Sequence, residues 1–133
     1  MIDEKHDWLN KAQQSLRGAE SEFTFARYDN AANRAYYACF QAAIAALMDA
    51  GIYPEGQQET WSHAAVQSAF ARELIHRRKM YPAEIGSILL DTITVRDQAD
   101  YSIKYTSEIR AKRALDKAHT FLSAVRRQVE EKA

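Results

Sequence analysis

The stretch NRAYYACFQAAIAALM, residues 33–48, is apolar around almost the whole circumference of a helix. Such a helix belongs in the middle of a bundle, because every face needs a neighbour to cover it. Its many alanines allow those neighbours to approach closely. We predict that the helix begins near Asp29 or Asn30, either of which is a competent N-cap, and ends at Gly51, which suits the position just after a helix.

The rest of the chain also shows helical spacing, and little interrupts it. Only 4 glycines and 2 prolines occur in 133 residues, and long strand-like alternation is absent. Further helices are predicted over about 3–26, 60–79 and 82–101, and from a cap at Ser107 to a polar tail expected to fray from 126 on. A loop, IYPEGQQE at 52–59, links the second helix to the third. The sequence therefore predicts an all-α fold: an antiparallel up-and-down helical bundle of four to five helices, in one domain over residues 1–133.

Composition limits the classes of function. The chain carries 18 Lys and Arg against 18 Asp and Glu, so it lacks the overall basic charge of a dedicated nucleic-acid binder. Its single cysteine, Cys39, excludes an intrachain disulfide and a thiolate metal cluster, and its place in the apolar helix indicates a buried structural thiol. No apolar run approaches the ~20 residues of a membrane span, and the N-terminus lacks an apolar signal core. We expect a cytoplasmic protein that does not bind a membrane.

Metal and nucleotide motifs are absent. The 4 histidines have no i, i+4 spacing and no HExxH pattern, and no phosphate-binding glycine loop occurs. We therefore expect no metal and no cofactor. His63, near the start of the predicted third helix, is interpreted as a polar packing residue.

Arg34 interrupts the apolar second helix. A buried arginine needs a partner, and Asp100 is the natural candidate. Tyr36 and Tyr37 follow Arg34, and their hydroxyls need hydrogen bonds if they are buried. Two readings stay open, with the first favoured: a polar tie between the second and fourth helices, or the wall of a ligand site. That ligand site would use Arg34, Tyr37 and His63 to bind a substrate or a nucleotide.

Basic residues also cluster in the third and fifth helices, for example Arg77 and Arg78, and then Arg110, Lys112 and Arg113. On a neutral protein the favoured reading is a solvated helix face. The alternative is a patch that tracks phosphates where two subunits meet.

Four segments carry a resemblance to a known family, in the expected order. They are NRAYYACFQAAIAALM at 33–48, SHAAVQSAF at 62–70, YPAEIGSILL at 81–90 and RDQADY at 96–101. Together they resemble the HEPN superfamily, in its small stand-alone prokaryotic branch, over roughly residues 7–125. The resemblance implies a helical bundle that commonly forms a homodimer and is often encoded beside a minimal nucleotidyltransferase, in pairs of toxin–antitoxin type. In many relatives it also implies a metal-independent endoribonuclease.

The ribonuclease members carry an arginine, then four to six residues, then a histidine. Arg96 matches the arginine, but Tyr101 stands where the histidine is expected. A tyrosine, with an ordinary pKa near 10, is a poor general base at neutral pH.

Three hypotheses follow from this departure. The first is a dimeric module that binds RNA, a nucleotide or a nucleotidyltransferase partner. The second is a ribonuclease toxin in which Arg96 acts with Tyr101 or Asp100. The third is a structural bundle in which Arg34, Arg96, Asp100 and Tyr101 form a buried polar network without a ligand.

Overall fold

The computed structural model describes residues 3–53 and 61–131, and within these ranges the only regular elements are helices. They are α1 (Glu4–Thr24), α2 (Tyr28–Asp49), α3 (His63–Ala69) with a π-helical continuation (Phe70–Arg77), α4 (Ala83–Tyr101) and α5 (Glu108–Glu130). The all-α helical bundle predicted from the sequence is confirmed. Among the described residues, no helix combines the length and the apolar character that a membrane span requires.

The second helix forms the centre of the bundle, as its sequence predicts. α2 packs against α1, α4 and α5. Its buried side chains point in every direction, and most of them are small: Ala31, Ala32, Ala35, Ala38, Ala42, Ala43, Ala45 and Ala46. Larger buried groups come from α2 itself, for example Tyr36 and Leu47, and from the other helices, for example Leu9, Phe70 and Phe121. Close approach of the helix backbones therefore accounts for much of the packing at the centre.

Two of the capping residues predicted from the sequence mark helix ends in the structure, and one prediction is wrong. Gly51 has φ 78° and follows α2 as predicted, with Gly51 N–H donating to Met48 O and Ile52 N–H donating to Leu47 O, both at 2.9 Å. Ser107 caps α5 through its Oγ, which accepts a hydrogen bond from Arg110 N–H at 3.1 Å. The predicted cap at Asp29 or Asn30 is wrong, because α2 begins at Tyr28 and Arg27 occupies the N-cap position. Asp29 instead accepts a hydrogen bond from Thr106 N–H at 2.8 Å.

The third helix differs most from its prediction. It begins at His63, where Ser62 Oγ accepts a hydrogen bond from Ala65 N–H at 3.0 Å, and it changes to π-helical turns at Phe70. Ala64 and Ala65, in its first turn, are exposed. The predicted loop over 52–59 lies outside the described residues from position 54 on. At the other end of the chain, α5 continues to Glu130 and buries Val129, so the predicted fraying from 126 is wrong.

Candidate functional site

Arg96 lies at the centre of the candidate site. It projects from α4 with its side chain 15% exposed. The centre of its guanidinium, Cζ, lies 5.7 Å from the ring centroids of both Tyr36 and Tyr37 of α2, and 5.8 Å from that of Tyr101 at the end of α4. A planar cation surrounded by aromatic faces is held by cation–π attraction as well as by hydrogen bonds. We name this group, together with Asp97, Asp100 and His63, the Arg96 cluster.

The guanidinium of Arg96 makes two hydrogen bonds and lies beside two carboxylates. Nη1 donates to Asp97 Oδ1 at 3.0 Å, and Nη2 donates to the Tyr37 hydroxyl at 3.3 Å. Nε lies 3.0 Å from Asp100 Oδ2, as an ion pair in which the N–H bond does not point at the carboxylate. Burial alone would lower the pKa of Arg96, but the hydrogen bond to Asp97 and the neighbouring Tyr37 and Asp100 raise the pKa above its ordinary value. Arg96 therefore stays a cation whose charge is already met.

The predicted partnership of Arg34 with Asp100 is wrong. Arg34 is exposed rather than buried, and its Nη2 donates to Asn33 Oδ1 at 3.3 Å. Asn33 faces α4 and donates through Nδ2 to the two carboxylate oxygens of Asp100, at 3.0 and 3.4 Å. The tie between α2 and α4 is therefore formed by Asn33 with Asp100 and by Tyr37 with Arg96. Arg34 lies at its edge, with Cζ 5.3 Å from the Tyr37 ring centroid.

His63 joins the cluster from the first turn of α3. Its ring stacks on Phe40, with the centroids 4.5 Å apart, and its Nδ1 makes a short hydrogen bond with the Tyr36 hydroxyl. Burial and the positive charge of Arg96 lower the pKa of His63, so the imidazole is neutral at pH 7. The sequence interpretation of His63 as a packing residue agrees with this stacking. The charge of Arg96 also acts on His63, which places a neutral imidazole near a fixed cation.

Tyr36 is the member that sequence reasoning underrated. It is fully buried, touches His63 and lies under Arg96, and its burial raises the pKa of its hydroxyl. The signal was present in the sequence, because two adjacent tyrosines on a helix point about 100° apart and so reach two neighbours.

Tyr101 opens an exposed apolar segment. Its side chain is 78% exposed, although its ring still contacts Arg96. Ile103, Tyr105 and Ile109, in the connection to α5 and its first turn, are also exposed, and Ile103 is 99% exposed. These four residues are called the apolar patch here. Sequence reasoning missed it, because an alternation of large apolar and polar residues in so short a connection predicts no buried face.

The described residues outside the Arg96 cluster provide neither a group of metal ligands nor a reactive cysteine. Within residues 3–53 and 61–131, no three His, Cys, Asp or Glu side chains come together as metal ligands. Cys39 is buried in α2, and burial raises the pKa of its thiol to about 12, as expected of a structural cysteine.

The chain matches the model of a known family. A model described as the HEPN domain matches residues 6–128. The chain belongs to the HEPN family. It is similar to a UPF0332 protein of Gloeobacter violaceus, with 31% identity over 101 residues that make up 76% of this chain and 75% of that protein. It is also similar to a protein of Methanocaldococcus jannaschii named "Putative toxin", with 28% identity over 121 residues that make up 90% of this chain and 84% of that protein.

The HEPN fold thus brings together most of the residues predicted for the site. Arg96, Asp100, Tyr101, Tyr37 and His63 all lie within the Arg96 cluster, and Arg34 lies at its margin. The cluster supplies a fixed arginine, a neutral imidazole and two carboxylates. Its one cation faces two carboxylates, so the cluster has no excess positive charge with which to capture a phosphate.

Proposed function

We propose that this HEPN protein is a dimeric binding module of a toxin–antitoxin-type system, which associates with RNA or a nucleotide and with a minimal nucleotidyltransferase. The observation that carries this proposal is the engaged state of Arg96: Nη1 donates to Asp97, Nη2 donates to Tyr37, and Nε lies 3.0 Å from Asp100 Oδ2 in an ion pair. A cation engaged in this way is poorly placed to receive a reacting phosphate. The name of the Methanocaldococcus relative supports the toxin-type setting.

The apolar patch supports a protein partner. Exposed tyrosines and isoleucines in one short segment are typical of protein–protein contacts, where aromatic residues are enriched. The N–H of Thr106 donates to Asp29, which fixes the segment against α2 at the same end of the bundle. We assign the patch to a second copy of this chain, so that the two Arg96 clusters lie near the dimer contact.

Light scattering during size-exclusion chromatography tests the dimer. We expect a dimer for the wild type and a monomer for Ile103→Asp, because the new carboxylate would be buried in the apolar contact without water or an ionic partner. Ile103 is 99% exposed, so its replacement removes no packing within one chain. Leu90→Asp is the matched control, since Leu90 is also an exposed apolar residue but lies outside the patch. A monomeric wild type, or a dimer of Ile103→Asp, contradicts this assignment.

Affinity purification of the tagged protein from its native host tests the nucleotidyltransferase. Mass spectrometry of the eluate should identify a small nucleotidyltransferase in stoichiometric amounts. If such an enzyme is expressed in the host and the HEPN protein is always recovered without it, this part of the proposal is wrong.

His63 favours a second candidate function, a metal-independent endoribonuclease. A neutral imidazole is suited to take the proton of an RNA 2′-hydroxyl, while an arginine stabilises the charge on the phosphate. His63 and Arg96 contact the same two tyrosines: the His63 ring centroid is 5.3 Å from that of Tyr36 and 5.9 Å from that of Tyr37. In this reading His63 takes the role first considered for Tyr101 or Asp100.

A cleavage assay on labelled RNA in excess EDTA separates the two functions. The binding module leaves RNA intact over the neutral pH range. The ribonuclease cleaves it, loses cleavage on Arg96→Ala and on His63→Asn, and keeps it on Tyr101→Phe. Thermal unfolding of each variant shows that a loss of cleavage is not a loss of fold.

A further inference from the structure

A second polar site lies between α4 and α5. It is a groove of about 250 Å³, open to solvent. Its lining residues are Asp91, Thr92, Thr94 and Val95 from α4, and Arg110, Arg113, Ala114 and Lys117 from α5. We name it the α4–α5 groove. None of its lining residues belongs to the Arg96 cluster or to the apolar patch.

The α4–α5 groove concentrates positive charge on a protein whose formal net charge is zero. Arg110, Arg113 and Lys117 face a single acid, Asp91. The three cations recur at three- and four-residue steps, which places them on one face of α5, and they extend over about 10 Å of its axis. The groove therefore presents a row of cations rather than a single charge.

Two of these cations keep their charge available. Arg110 donates to Gln98 Oε1, a neutral amide that orients the guanidinium without neutralising it. Arg113 is exposed and, among the described residues, has neither an ion pair nor a side-chain hydrogen bond. Lys117 lies 3.0 Å from Asp91, but both side chains are close to half exposed, so this pair is weak. In contrast, the charge of Arg96 is met by Asp97 and Asp100.

We infer that the α4–α5 groove binds successive phosphates of a single RNA strand. This inference rests on the RNA association proposed above and names where the strand lies. A row of cations longer than one phosphate suits a backbone better than a free nucleotide, and Arg guanidinium groups bind phosphate oxygens bidentately. The lining includes no aromatic side chain on which a base could stack, so binding in the groove is independent of base sequence.

Salt-dependent binding of a labelled single-stranded RNA oligonucleotide tests the groove. For Arg113→Gln we expect weaker binding and a slope of log K against log[salt] that is about 0.7 shallower, the change for one lost phosphate contact on a single strand. Lys112→Gln is the matched control: it removes one positive charge from the same helix, but Lys112 pairs with Asp116 at 2.6 Å outside the groove. The control should keep the wild-type slope.

The outcomes separate this inference from the function on which it rests. If the wild type binds no RNA, both the proposed RNA association and the groove assignment fail. If the wild type binds RNA and Arg113→Gln has the same slope as Lys112→Gln, only the groove assignment fails. A third arm titrates AMP: loss of AMP binding on Arg113→Gln, with RNA binding unchanged, overturns the strand in favour of a free nucleotide.

Discussion

Removal of the Asp100 carboxylate tests whether the Arg96 cluster is a buried network. In the folded chain Asp100 accepts two hydrogen bonds from Asn33 and forms an ion pair with Arg96, while its side chain remains 29% exposed. Breaking a fully buried pair costs about 3–5 kcal/mol, and an exposed pair contributes below about 1 kcal/mol. Arg96 keeps Asp97 as a second acid, so we expect Asp100→Ala to lower the free energy of unfolding by about 1–2 kcal/mol.

The assay is thermal unfolding followed by circular dichroism at neutral pH. For a chain of 133 residues, that loss lowers the melting temperature by about 4–7 °C. Asp97→Ala is the control, because Asp97 contacts the same guanidinium but its side chain is 52% exposed; we expect less than half of the shift. Equal shifts for the two variants refute the reasoning from burial. A loss above about 3 kcal/mol for Asp100→Ala instead shows that Asp100 and Arg96 behave as a fully buried pair.

Three further predictions concern other parts of the fold. Gly18→Ala in α1 should raise the free energy of unfolding, measured by chemical denaturation, by about 0.5–1 kcal/mol, because the added Cβ lies an ordinary 3.4 Å from its nearest neighbour. Gly86→Ala should give no such gain, because its Cβ would lie only 3.1 Å from Ile75 Cγ1. Folding lowers the pKa of His63 below 6.5, so the free energy of unfolding should fall as the pH drops below about 6.5. His63→Asn should make the melting temperature depend less on pH in this range. An unchanged pH dependence contradicts the lowered pKa of His63. Cys39, whose burial raises its pKa to about 12, should resist alkylation in the native protein and react only after denaturation, as intact mass spectrometry will show; rapid native labelling contradicts this.

The main helices were predictable because their signals are local. Gly51 and Ser107 mark their helix ends through backbone geometry and capping that neighbouring residues determine. Asp29 misled because its carboxylate is used by Thr106, a residue far along the chain. The change to π-helical turns at Phe70 was also not predicted from the sequence.

The sequence predicted several residues of the candidate site, but it did not predict which of them contact one another. The resemblance to HEPN sequences selects Arg96, Asp100 and Tyr101, and the structure brings them together. Which neighbour on α2 meets Asp100 depends on a rotation of about 100° between adjacent helix positions, which separates Asn33 from Arg34. That rotation is set by how α2 packs against α4, so no local pattern records it.

The alanine-rich centre of the bundle has a consequence for how this protein can change over time. The buried alanines of α2 do not tolerate larger residues, because a larger side chain at any of them would push several helices apart. The ends of the bundle and the outer faces of α4 and α5 carry no such constraint. We therefore expect substitutions that alter binding to be tolerated at the ends of the bundle and on the outer faces of α4 and α5, and not in the centre of α2.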